Sequence, residues 1–199
     1  MEYLSPFGVG FIAAFMGLIA PSMLNMTSAK TSLEKGKKQG LLFAAGAASV
    51  VIIQAFIAVY FAEKITPEIV QTLQTVAIFV LLALAYFFYS QAKKEFKAEG
   101  KDKKGSSYIV GLGMSSLNML AVPFYLVAAK GSGIQLIAPY SYLFVIGAAL
   151  GAFTIFAIYA SFAEIIAKKA AFIAKNINYI LAGLFVVLAI VTAIRVLTA

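Results

Sequence analysis

Residues 39–62 read QGLLFAAGAASVVIIQAFIAVYFA and contain no Asp, Glu, Lys or Arg. A helix needs about 20 mostly apolar residues to cross about 30 Å of hydrocarbon, and this run is long enough. It lacks the regular polar alternation of a lipid-facing β-barrel strand. The run therefore predicts a transmembrane helix.

The rest of the chain repeats this pattern. Uncharged stretches also cover residues 3–29, 69–92, 105–129, 131–163 and 176–194. Of the 199 residues, 62% are hydrophobic and only 12% are charged, about half the charge of a typical soluble domain. This composition excludes a soluble globule, and it also excludes a disordered chain. We predict an all-α integral membrane protein with six transmembrane helices.

The predicted helices leave no room for a separate soluble domain. We expect one transmembrane domain over residues 1–199, with a first repeat over about 1–92, a charged loop over about 93–104 and a second repeat over about 105–199. The first helix is read as retained, because only Glu2 precedes it and its apolar run is too long for a signal peptide. The expected spans are Leu4–Thr27, Gly40–Phe61, Val70–Tyr89, Tyr108–Ala129, Tyr140–Phe162 and Ile177–Leu197.

Lysines are concentrated in every second loop, which predicts the orientation. The loops after helices one, three and five are lysine-rich, whereas the other two are nearly neutral. Cytoplasmic loops carry the excess of Lys and Arg, so these three loops should be cytoplasmic and both termini outside, in the cytoplasmic membrane. The net charge of +8 is therefore no sign of nucleic-acid binding. The lysines of the first and third of these loops are Lys30, Lys35, Lys37, Lys38, Lys168, Lys169 and Lys175.

An internal repeat is suggested when the sequence is shifted by 93 residues. Residues 22–40 then fall on residues 115–133 with seven of nineteen positions identical, including Asn25 on Asn118 and Lys37 on Lys130. Because each half has three crossings, the second half would insert the opposite way round. Inverted repeats of this kind are typical of secondary transporters. Chance similarity between helix ends is the alternative.

The missing residue types restrict the chemistry. The chain has no His and no Cys, and no Asp, Glu or Lys lies deep in a predicted span. Divalent-cation sites need hard oxygen ligands, and proton pumps usually carry an intramembrane acid. We therefore expect no enzyme activity, no catalytic residue, no metal site and no cofactor.

Uncharged polar residues and helix-breaking residues remain as the candidate site. Pro21 should interrupt the first helix, and broken helices expose N–H and carbonyl groups that can line a cavity. A half-helix N-terminus suits a carboxylate, and free carbonyls suit an ammonium, so together they can hold a zwitterion. The ordinary alternative for the asparagines is hydrogen bonding between helices. The predicted substrate-binding residues are Pro21, Ser22, Asn25, Ser115, Asn118 and Pro123; the candidate pathway residues are Thr27, Ser28, Lys30, Gln54 and Tyr125.

Two small-residue surfaces allow helices to approach closely. Gly147 and Gly151 form a GxxxG pattern, and residues 44–49 form a second run of small side chains. Such surfaces serve either a homodimer or packing within the monomer. The sequence leaves both open.

Residues 17–40, GLIAPSMLNMTSAKTSLEKGKKQG, resemble the first-helix region of the LysE/RhtB family of amino-acid exporters. Pro21 occupies the position of the first proline in the family's motif, and Asn25 corresponds to the amide residue of that motif. In the second half, Asn118 and Pro123 resemble the family's Asn-Pro segment. The resemblance implies a secondary transporter that exports amino acids or related small metabolites.

The partners expected from this interpretation are the lipid bilayer and a small-molecule substrate. Two other classes stay open: a structural or assembly membrane protein without transport, and an inorganic-ion transporter of related fold. The missing intramembrane acids disfavour the ion transporter.

Overall fold

The computed structural model of the chain describes residues 4–19, 21–64, 106–118, 120–134 and 137–198, with scattered residues between 75 and 90. Within these residues every regular element is an α-helix, as predicted. The helices are α1 (Leu4–Gly17), α2 (Met23–Lys35), α3 (Lys37–Lys64), α4 (Ser107–Ser116), α5 (Ala121–Gly131), α6 (Tyr140–Ser161) and α7 (Ala163–Thr198).

Two of the described helices are long and apolar enough to cross a membrane. They are α3, over Lys37–Ala62, and α6. The pair α4 and α5 adds a third if it is counted as one broken span, bent by 70°. These helices are consistent with a membrane location. The predicted span Val70–Tyr89 and the loop 93–104 fall largely or wholly outside the described residues.

The predicted first span is broken where Pro21 suggests. Helix α1 ends at Gly17, and α2 begins at Met23 with Ser22 as its N-cap. Pro21 lies in the gap, where its missing N–H and fixed φ oppose a continuous helix. A second gap separates α4, which ends at Ser116, from α5, which begins at Ala121. We call the described residues of the two gaps break one (18, 19, 21 and 22) and break two (117, 118 and 120).

Two of the predicted lysine-rich loops are helical instead. Lys30 and Lys35 lie in α2, Lys37 and Lys38 lie in α3, and only Gly36 separates the two helices. Helix α7 runs continuously from Ala163, so the predicted loop containing Lys168, Lys169 and Lys175 is wrong. Lysine is a good helix former, and residues 163–182 contain no Gly or Pro to end a helix.

Gly36 makes the sharp turn from α2 to α3 in a conformation nearly restricted to glycine. Its φ of 90° and ψ of 155° would strain any residue with a Cβ by about 1–3 kcal/mol. We expect Gly36→Ala to lower the melting temperature of the detergent-solubilised protein. Gly131→Ala is the control, since its Cβ would meet nothing within 4 Å and its φ is negative. Equal melting temperatures of the two variants would contradict this account of the turn.

The Cα positions divide into two compact units. The first comprises Met1–Lys64 and Ala98–Lys168, and the second comprises Ile65–Lys97 and Lys169–Ala199. In the second unit the Tyr89 and Tyr179 rings meet edge to face, with centroids 6.2 Å apart. These rings line an apolar cleft of about 390 Å³. Break one and break two both lie in the first unit.

Glycines bring α1 onto α6 and α4 onto α3 at backbone distance. A Cβ at Gly10 would overlap the carbonyl oxygen of Phe144, and one at Gly147 would overlap that of Phe7. Correspondingly, a Cβ at Gly111 would overlap the carbonyl oxygen of Phe43. A Cβ at Gly46 would likewise overlap the carbonyl oxygen of Tyr108, and one at Gly151 would overlap that of Phe11. Both small-residue surfaces predicted from the sequence are thus covered by helices of the same chain.

The contacts also give the directions of the helices. Gly147 lies against Phe7, and Tyr159 lies against Ile19, so α1 and α6 run parallel. Helices α3 and α4 also run parallel, because Ser107 bonds to Gln39 near their starts and Gln54 bonds to Ser115 further along.

The long helices α3 and α6 run antiparallel. They pack along each other, and Gly40 near the start of α3 lies beside Ala160 near the end of α6. Together with the parallel pairs, this places α1 and α6 in one direction and α3 and α4 in the other.

The matched glycine contacts recur at a spacing of 101 residues. Gly111 follows Gly10 by this spacing, and Phe144 follows Phe43 by the same spacing. The register of 93 residues predicted from residues 22–40 and 115–133 does not relate these contacts, because it would align Gly10 with Lys103. That register was anchored on residues 22–40, which form α2 and the start of α3. Its counterpart, residues 115–133, contains the end of α4, break two and α5.

Candidate functional site

Break one exposes the carbonyl end of α1, and two side chains bind it. The last carbonyls of a helix have no partner within the helix. The Asn25 side-chain amide donates to the Leu18 carbonyl oxygen at 2.6 Å. The Tyr159 hydroxyl, from α6, donates to the Ile19 carbonyl oxygen at 2.9 Å. Asn25 is fully buried and Tyr159 is nearly so, although the Ile19 residue itself is exposed.

The beginning of α2 is fixed by two serines. The Ser22 hydroxyl accepts a hydrogen bond from the Asn25 N–H at 3.3 Å, as an N-cap residue does. The buried Ser28 hydroxyl donates to the Phe156 carbonyl oxygen at 2.9 Å and ties α2 to α6. Side chains from α2 and α6 therefore hold break one in place by hydrogen bonds.

Break two is capped by Gln54 from α3. Its side-chain nitrogen donates to the Ser115 carbonyl oxygen at 3.0 Å and reaches the Asn118 carbonyl oxygen at 3.4 Å. Within the break, the N–H groups of Leu117 and Asn118 bond back to Met114 and Ser115. The carbonyl end of α4 is thus satisfied by a side chain from the other part of the chain.

The two breaks share one design. Each lies after a short helix that packs on a long helix, and that long helix supplies a polar cap for the exposed carbonyls. Tyr159 does this from α6 for break one, and Gln54 does it from α3 for break two. All the side chains that make these contacts are uncharged. Among the described residues no group of three His, Cys, Asp or Glu could hold a metal ion.

The structure distributes the predicted binding residues between the breaks. Pro21, Ser22 and Asn25 lie at break one. Ser115 and Asn118 lie at break two, where their backbone carbonyl oxygens accept hydrogen bonds from the Gln54 side chain. Asn25 and Asn118 are therefore not equivalent: the first acts through its buried side chain, whereas the Asn118 side chain is half-buried.

Pro123 lies in the first turn of α5 with an exposed ring. A proline is tolerated at this position because the first N–H groups of a helix have no partner within it. The residue therefore helps to begin α5.

The predicted pathway residues have separate environments. Ser28 and Gln54 belong to the capping network described above. The Thr27 hydroxyl bonds to the Met23 carbonyl in its own helix, and Lys30 pairs with Glu34 at 3.5 Å. Tyr125 is almost fully buried, with its ring edge to face with Phe124 at 5.3 Å.

Tyr159 is the site residue that the sequence did not place. It lies inside an apolar run, and its only signal is that a buried tyrosine hydroxyl needs a hydrogen-bond partner. Its partner, Ile19, is 140 residues away. A contact of that range is not visible in local sequence patterns.

We expect Tyr159→Phe to destabilise the protein. The change removes only the hydroxyl and its hydrogen bond to the Ile19 carbonyl, which is worth about 0.5–1.5 kcal/mol. Thermal unfolding of the purified protein measures the effect. Tyr142→Phe in the same helix is the matched control, because the Tyr142 ring is 53% exposed. The account of break one is contradicted if both variants unfold at the wild-type temperature.

Comparison of the chain with known protein families, curated proteins and solved structures finds no match.

Proposed function

We propose that the chain is a secondary transporter that exports amino acids or similar small zwitterionic metabolites across the cytoplasmic membrane by alternating access. The observation that carries this proposal is the pair of capped helix breaks. Non-helical backbone at membrane depth is tolerated where it is buried in protein or lines a cavity, and transporter sites are typically built from such discontinuous helices.

We further infer that the chain has six spans arranged as two inverted repeats. The helix directions support this, because α1 and α3 in the first half have the opposite directions to α4 and α6 in the second. The sequence at the spacing of 101 residues supports it as well. Residues 42–48, LFAAGAA, match residues 143–149, LFVIGAA, at five of seven positions, and FAE recurs at 61–63 and 162–164.

The chemistry of the breaks supports a small zwitterion as substrate. The carbonyl end of a half-helix carries partial negative charge, and the amino end of the next carries partial positive charge. A site of this kind holds an ammonium and a carboxylate without any ionised side chain. The resemblance to LysE/RhtB exporters is the basis for proposing amino acids within this class.

Two halves of opposite direction, each with a helix break, also suit alternating access. Rocking of one repeat against the other can expose the breaks to one side of the membrane and then to the other. In this scheme Lys35 and Lys37 lie on the cytoplasmic side and Lys130 outside, following the lysine distribution.

Counterflow in proteoliposomes tests the proposal. Vesicles preloaded with the twenty amino acids are diluted into labelled amino acids, and uptake is read by mass spectrometry. Selective uptake of one chemical class by folded protein is expected, with protein-free vesicles as the control. If folded protein exchanges no amino acid, the proposal is wrong and a structural or assembly role takes its place. Movement of inorganic ions alone would instead support an ion transporter.

A further inference from the structure

Gln54 has a buried acceptor that the fold does not use. Only 7% of the residue is exposed, and its Nε2 reaches two carbonyl oxygens of break two. Its Oε1 is buried and has no hydrogen-bond partner among the described residues. Buried polar atoms in native proteins are nearly always paired, so this oxygen requires an explanation.

The orientation of the Gln54 amide is set by its surroundings. Exchanging Oε1 with Nε2 would place an acceptor 3.0 Å from the Ser115 carbonyl oxygen, which is also an acceptor. The donor must therefore face the carbonyls. Because both atoms belong to one planar amide, Oε1 is enclosed beside break two, where only a donor that enters the buried site can reach it.

The local charge selects the kind of donor. Break two follows the carbonyl end of α4, where the helix dipole places partial negative charge. The carbonyl oxygens of Ser115 and Asn118 add to this field. An ammonium group, with positive charge and several N–H donors, is complementary to this environment, whereas a carboxylate is repelled.

We propose that Gln54 is the residue that recognises the ammonium group of the substrate at break two, with Oε1 accepting one of its N–H groups. This inference rests on the proposed transport function and deepens it. It assigns the ammonium end of the zwitterion to the second half of the chain. It also makes Gln54 the determinant of preference for amino acids over equivalents that lack nitrogen.

The experiment compares amino acids with the α-hydroxy acids of the same side chain, lactate for alanine and 2-hydroxyisocaproate for leucine. Wild-type protein should prefer the amino acids in counterflow. Gln54→Leu should raise the KM for amino acids by about tenfold or more, since hydrogen bonds to charged groups are the stronger ones. The KM for the hydroxy acids should change by less than about twofold, because they make no such charged bond.

A second variant separates recognition from structural capping. Gln54→Glu keeps an acceptor but loses the donor to Ser115 and Asn118. If Oε1 binds the ammonium, this variant retains the preference for amino acids. If the side chain serves only to cap the carbonyls, Gln54→Glu fails in the same way as Gln54→Leu. Ser49→Ala is the matched control on α3, because Ser49 bonds to Ala45 and Tyr108 away from the breaks.

The outcomes distinguish this inference from the proposed function. Equal loss of both substrate classes in Gln54→Leu, or loss of selectivity in Gln54→Glu, overturns the role of Gln54 while transport itself stands. Absence of exchange by the wild-type protein overturns the proposed function and the inference with it. If Gln54→Leu does not fold, Gln54→Glu against wild type decides the question.

Discussion

Alanine at Gly10 or at Gly111 will destabilise the folded protein strongly. In each case the new Cβ would overlap a backbone carbonyl oxygen, of Phe144 or Phe43, and a backbone group cannot rotate away as a side chain can. The paired helices must move apart, at about 2 kcal/mol or more. For a chain of this size we expect the melting temperature to fall by about 4–8 °C.

The same helices supply matched controls two residues away. A Cβ at Gly8 or at Gly113 would meet nothing within 4 Å. Alanine is also the better helix former by about 1 kcal/mol, so these controls should be neutral or slightly stabilising. Equal behaviour of the Gly10 and Gly8 variants would show that α1 and α6 do not approach at backbone distance.

Asn25→Ala should abolish most exchange while the protein remains folded. The change leaves the Leu18 carbonyl without its side-chain donor and empties a fully buried position in break one. Because a site must be held within a fraction of an ångström to work, we expect counterflow to fall by about tenfold or more. The measurement is initial exchange rate in proteoliposomes, with folding checked by gel filtration.

Thr154→Ala is the control for this variant. The Thr154 hydroxyl donates to the Leu150 carbonyl oxygen of its own helix at 2.7 Å, away from both breaks. It should exchange at the wild-type rate. Full exchange by Asn25→Ala would remove break one from the transport site, and loss of assembly without loss of exchange would favour a structural role.

Structural features that depend on composition and on helix-breaking residues can be predicted from the sequence. Long uncharged runs give the helices α3 and α6, and Pro21 gives the interruption between α1 and α2. These features follow from hydropathy and from backbone sterics, which act within a few residues.

Features that depend on distant contacts were not predictable in this way. The lysines around Lys168 suggest a loop because charged side chains favour water. A charged residue does not by itself end a helix, however, and the helix continues through them. The capping of Ile19 by Tyr159 and of Ser115 by Gln54 joins residues far apart in the chain. The repeat register depends on which glycines meet which backbone, and apolar sequence of low complexity allows several registers.

Single-cysteine labelling can show whether the two halves insert in opposite directions, because the chain contains no cysteine of its own. Lys35→Cys lies at the end of α2 and Ser132→Cys just after α5, and both positions are exposed. Intact cells are treated with a membrane-impermeant maleimide, and permeabilised cells show full labelling. We expect Ser132→Cys to be labelled from outside and Lys35→Cys only after permeabilisation. Labelling of both from the same side would contradict the inverted repeat and the transport mechanism built on it.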